Sequence, residues 1–117
     1  MPTATKADGL KAVQEAIAKL DGADQAIANR LHEIVTDEAP DLSPKTYYGM
    51  PGWARDGKIL CFFQPASKFG TRYGTFGFEQ PASLDDGDMW PTAFALLRVG
   101  PAEEARLREL VRQATSG

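Results

Sequence analysis

The chain has 117 residues, 43% of them hydrophobic and 25% charged, with a net charge of −3. That is one domain's worth of sequence, able to bury about two thirds of its unfolded surface, and its composition is that of a globular protein rather than a disordered one. The mild acidity excludes a general nucleic-acid binder, which needs surplus Lys and Arg against phosphates, and no apolar run reaches the roughly 20 residues of a membrane helix.

The opening stretch MPTATKADGL lacks the apolar segment of a signal peptide, and residues 1–7 are expected to be flexible. A single cysteine, Cys61, excludes an internal disulfide and fits a reducing compartment, so a cytoplasmic location is expected. Asp8 reads as the N-cap of a first helix, whose stripe is Leu10, Val13, Ile17 and Leu20. Gly22 closes that helix and Asp24 is expected to cap a second, carrying Ile27, Leu31, Ile34 and Val35. Pro40 and Pro44 bracket its exit.

From Lys45 the period shortens. TYYGM, bounded by Pro44 and Pro51, reads as a first strand whose alternation sends Tyr47 and Tyr48 to opposite faces, one of them towards the core. Asp56-Gly57 in WARDGKILCFF is a two-residue hairpin turn. Alternation after it places Ile59, Cys61 and Phe63 on one face and Leu60 and Phe62 on the other, the pattern of a central strand. RYGTFGFE gives another strand with Phe76 and Phe78 on a shared face, and TAFALLRV reads as a last one, though its alanines and leucines suit a helix equally. Gly100-Pro101 opens a terminal helix with Glu103 and Glu104 near its positive end and Arg106, Arg108 and Arg112 further on. The fold class is α+β in one domain spanning 1–117: an N-terminal helix pair, an antiparallel meander and a C-terminal helix.

No strong catalytic motif is present. HEIVT starts like a zinc-protease helix, but Thr36 stands where the second histidine belongs, and His32 is the only histidine. The glycines of GTRYGTFG lack dinucleotide-loop spacing, and no helix follows them. Alternation with Ile59 and Phe63 puts Cys61 on a face expected to be core, where a cysteine acts as a small hydrophobe rather than a nucleophile. Tyr47 or Tyr48 as an acid or base would need a strong shift from a phenol pKa near 10.

Two acidic groups are candidate sites for a hard cation: Asp85, Asp86 and Asp88 in a turn-rich loop, and Glu33, Asp37, Glu38 and Asp41 towards the end of the second helix. Turn formation by aspartate and a solvated helix face explain the same residues without metal. Aromatics gather at strand ends, and Lys68 and Arg72 lie in the loop before the Phe76 strand. Together, Tyr47, Tyr48, Met50, Trp53, Lys68, Arg72, Trp90 and Phe94 are the candidate lining of a shallow pocket for a planar or anionic ligand.

The segments KTYYGMPGWARDGKILCFF, TRYGTFGF and MWPTAFALLRVGPAEEARLRELVRQA resemble the YdhG-like domain of unknown function, over residues 22 to 115. That family is grouped with YjbR and CyaY-like proteins as frataxin-like. The resemblance implies helices, an antiparallel sheet and a C-terminal helix, and puts Tyr48, Gly49, Met50, Pro51, Trp90, Pro91 and Thr92 on pattern positions without assigning any a catalytic role. It also implies iron as a possible cargo, carried on surface carboxylates as in iron chaperones. In this sequence Glu15 on the first helix sits between Lys11 and Lys19, which neutralise an acidic ridge there. The reading is a small cytoplasmic binding or accessory domain, not expected to be an enzyme, with a small molecule or a protein as partner. The alternative is a frataxin-like iron-binding chaperone using the carboxylates.

Overall fold

The computed structural model describes residues 5–116. The order is α1 (Lys6–Ala18), α2 (Gly22–Glu38), β1 (Ser43–Pro44), β2 (Gly52–Arg55), β3 (Lys58–Gln64), α3 (Ala66–Phe69), β4 (Gly74–Phe78), β5 (Ala93–Leu96) and α4 (Pro101–Ala114). The five strands form one antiparallel sheet in sequential order, β1-β2-β3-β4-β5, so β3 is central. Helices α1, α2 and α4 cover one face: Val13, Ile17, Leu31, Ile34, Leu107 and Val111 share a single core with Trp53, Cys61, Phe63, Phe76, Phe78 and Leu96 from the strands. The α+β arrangement with its helix pair, meander and terminal helix is therefore what the sequence pattern predicts.

Several local expectations change. Residues 1–4 of the stretch expected to be flexible lie outside the described residues, but Thr5 to Ala7 belong to the start of α1. Thr5 is its N-cap, accepting from the Asp8 N–H at 3.1 Å, while Asp8 reaches back to the Thr5 N–H at 3.2 Å. Asp8 is thus the second half of a capping box rather than the cap. TYYGM is not a strand. Tyr47 and Met50 exchange both backbone hydrogen bonds, at 2.8 and 2.9 Å, across a two-residue turn with Tyr48 at φ 52° and Gly49 at φ 79°. Positive φ at both central residues is the type I′ turn that suits the twist of a hairpin, so residues 43–55 form one hairpin with this turn at its tip. Asp56 (φ 52°) and Gly57 (φ 78°) make the next I′ turn, where the sequence predicts it.

The alternation of β3 is broken. Trp53 pairs with Cys61 but its neighbour Ala54 pairs with Ile59, a bulge that leaves Leu60 as the extra residue. Leu60 joins Cys61 in the core, fully buried, and Ile59 turns to the opposite face beside Gly52. The strand does carry apolar residues on both faces, but the set facing the helices is Leu60, Cys61 and Phe63.

Two contacts hold helices in place, α2 against α3 and α1 against β1. Asp24, expected as an N-cap of α2, lies in that helix's first turn and caps α3 instead: its buried carboxylate accepts from Ala66 N–H at 3.0 Å, from Ser67 N–H at 3.1 Å and from Ser67 Oγ. Burial opposes its ionisation, but the Ser67 hydroxyl and the two backbone donors outweigh burial and hold it below the ordinary aspartate range. Asp24→Ala leaves two backbone donors without their acceptor and is expected to cost about 2–3 kcal/mol, read as a shift in the urea midpoint at constant slope. Gly9 lets α1 lie directly on β1, because a methyl at that position would stand 2.0 Å from the Pro44 carbonyl oxygen. Gly9→Ala should therefore destabilise by about 1–3 kcal/mol even though alanine is the better helix former, and the same denaturation series measures it.

Candidate functional site

The face of the sheet away from the helices carries an open hollow of about 870 Å³ between the two I′ turns and the end of β4. Tyr47, Tyr48 and Ile59 line it, with Lys45, Arg55 and Lys58 as cations and Asp56 and Glu79 as carboxylates. Its aromatic wall follows from the hairpin register: Tyr47 has the same phase as Gly52, whose partner on β3 is Phe62. The Tyr47 ring consequently rests on Phe62, centroids 5.2 Å apart, and on Tyr48 at 4.7 Å. Neither tyrosine enters the core, against the alternation argument. Tyr48 is 82% exposed, and its carbonyl accepts from Lys68 Nζ at 3.0 Å.

Burial pushes the Tyr47 phenol up, and the negative charge of the neighbouring Glu79 pushes it further. This direction is opposite to what a base working near neutral pH requires.

Of the predicted lining, Tyr47, Tyr48 and Lys68 come together, and Met50 is buried in the same hairpin. Trp53 does not line the hollow; at 1% exposure it is a core residue. Arg72 stacks on Tyr73 instead, 5.4 Å from the ring centroid. Trp90 lines a separate hollow with Phe78, Leu84 and Asp85. Phe94 packs on Phe78 on the helix side, beneath the Arg106 guanidinium at 5.9 Å. Sequence reasoning missed Lys45, Lys58, Ile59, Phe62 and Glu79. The Asp56-Gly57 turn was the available signal for Lys58, but the bulge that exposes Ile59 has no mark in the sequence.

The acidic group of α2 is tied to arginines. Glu33 pairs with Arg30 at 2.6 Å and Asp41 with Arg55 at 3.1 Å. Arg108 on α4 reaches Asp37 at 3.2 Å, Glu38 at 2.9 Å and Glu104 at 3.1 Å, and Arg112 reaches Glu38 at 2.8 Å. Arg30 also pairs with Glu104. Hydrogen bonds from Arg108, then Arg112, hold Glu38 below the ordinary glutamate range, and Arg108 does the same for Glu104. Asp85, Asp86 and Asp88 are exposed. Among the described residues no three His, Cys, Asp or Glu side chains are placed to hold a metal ion, and no helix is long and apolar enough to cross a membrane. Cys61 is fully buried, which pushes its thiol far above the ordinary cysteine value.

Comparisons with protein-family models, with curated proteins and with solved structures found no match. The resemblance to the YdhG-like domain rests on the quoted segments alone.

His32 occupies the other side of the molecule. Its Nδ1 accepts from the buried Trp53 Nε1–H at 3.2 Å, and the two rings stack with centroids 6.1 Å apart. Accepting at Nδ1 requires the neutral ring with its proton on Nε2. Burial lowers the His32 pKa, with Glu33 opposing in part. A folded-state pKa below the ordinary 6.5 means that the unfolded chain takes up the proton first. Stability should therefore fall as pH drops through 6.5, with the full loss reached below the folded value. Denaturation midpoints of wild type and His32→Gln between pH 7.5 and 5 check this: the variant should lack that slope, whereas the carboxylates contribute theirs at lower pH.

Proposed function

We propose that the protein is a small binding or accessory domain that takes a planar anionic ligand in the outer-face hollow. Tyr48 carries the reading. A tyrosine at φ 52° occupies a backbone region that costs an ordinary residue about 1 kcal/mol, and here the residue also holds its ring in solvent, where it gains little burial. Asn would suit the same turn position better. Strain and exposure at one aromatic residue beside a hollow are the combination expected of a contact surface. The ligand class follows from the lining: two tyrosine rings for stacking, with Lys45 and Lys58 as cations for an anionic group, Arg55 being already paired with Asp41.

The pairing of the α2 acids with arginines supports this reading over cation carriage by those residues. Tyr48→Asn is the test. It should raise stability by about 0.5–1 kcal/mol while removing binding of planar anions such as flavin mononucleotide or adenosine monophosphate. Amide and aromatic resonances of residues 45–62 report the binding. Probes that leave those resonances unmoved at millimolar concentration, or a variant that binds as well as wild type, would sink the proposal.

A further inference from the structure

A second crevice, of about 420 Å³, lies between α1, α2 and β1 on the opposite side of the sheet from the tyrosines. That volume is within the range of small-molecule sites, roughly 300–1,000 Å³. Its walls are Leu10, Val35, Ala39, Leu42 and Pro44, its floor is the edge of Trp53, and His32, Lys6, Thr36 and Gln14 supply the polar groups. Among these described residues there is no carboxylate, whereas the outer-face hollow includes Asp56 and Glu79.

The polar groups are not equivalent. His32 Nδ1 is committed to Trp53, which leaves Nε2–H as a donor. No group of the described chain accepts from it, yet no buried side-chain nitrogen or oxygen lacks a partner, so Nε2 is open to solvent. Lys6 stands at the rim, where its Nζ donates to the Pro40 carbonyl at 2.8 Å and keeps further protons available. One fixed neutral donor and one cation, at the mouth of an apolar crevice without acids, match a single negative head group on an apolar body.

We infer that this crevice binds a small monocarboxylate, its carboxylate between His32 Nε2–H and Lys6 Nζ and its hydrocarbon part against Leu10, Val35 and Leu42. The site is distinct from the tyrosine hollow and stands or falls independently of it. The lowered basicity of His32 agrees with the arrangement, because the ring remains a neutral donor held by Trp53 at physiological pH.

Titration of the full chain with phenylacetate and with hexanoate, followed by the Trp53 indole N–H resonance, tests the inference; Trp90→Phe assigns that resonance. At least one of the two acids should shift it saturably. Phenylacetamide and hexanamide, which keep the shape and lose the charge, should bind at least tenfold more weakly, as should the acids to Lys6→Ala, an exposed substitution that leaves the fold intact. His32→Leu should abolish binding, and Tyr48→Asn should leave it unchanged. No saturable shift with either acid, equal affinity for acid and amide, or unaltered binding to Lys6→Ala would each overturn it.

Discussion

The burial of one indole organises the molecule. Trp53 sits in register with Pro44 on β1 and Cys61 on β3, so its side chain enters the core between the short edge of the sheet and its centre. An indole N–H so placed must find an acceptor, since an unpaired buried donor costs about 1–3 kcal/mol. His32 on α2 supplies it. That hydrogen bond fixes the rotation of α2 over the sheet and the tautomer of the ring together. The crevice beside it inherits both, because α1 closes over the same edge by resting Gly9 on Pro44.

The ladder slips immediately after Trp53. With Leu60 as the extra residue, two consecutive side chains of β3 face the helices, and Ile59 is released to the far side. The bulge thereby fills the core around the indole and furnishes the outer hollow with its aliphatic floor in one step. Arg55, at the end of β2, is drawn to Asp41 and to the Thr115 carbonyl, which ties the end of α4 to the same hairpin. The arginines of α4 then meet the acids of α2, so the acids near the C-terminal end of α2, which oppose its dipole, are offset by charges from another helix.

Most of the fold was legible because its signals are local. The Asp56-Gly57 turn, the helical stripes, the shared face of Phe76 and Phe78 and the Gly100-Pro101 start each depend on a few adjacent residues, and each element lies where those residues put it. The candidate site was less legible because its determinants are not local. Alternation through TYYGM predicts a strand, and only the pairing of Tyr47 with Met50 shows that the chain reverses within it; tyrosine is not a residue whose propensity announces positive φ. Trp53 looked like a pocket residue by company, being close in sequence to the tyrosines, yet one change of strand phase separates it from them. The acids of α2 read in the sequence as a candidate cation site, and their pairing with Arg108, seventy residues further on, is a contact that no local pattern signals.

The two faces of the sheet therefore handle polarity differently. On the helix side each buried polar group is satisfied by a specific partner: Asp24 by α3, Trp53 by His32. In the crevice on that side Nε2 of His32 remains open as a donor. On the outer side the chain accepts a strained backbone at Tyr48 and leaves aromatic surface in water, with cations and carboxylates around it. A packed core gains nothing from that arrangement, since Tyr48 buries little and its turn would be more stable with asparagine. An unfavourable residue where a better one fits the same backbone is what the proposed function rests on, and under that proposal recognition falls to the turn rather than to the sheet beneath it.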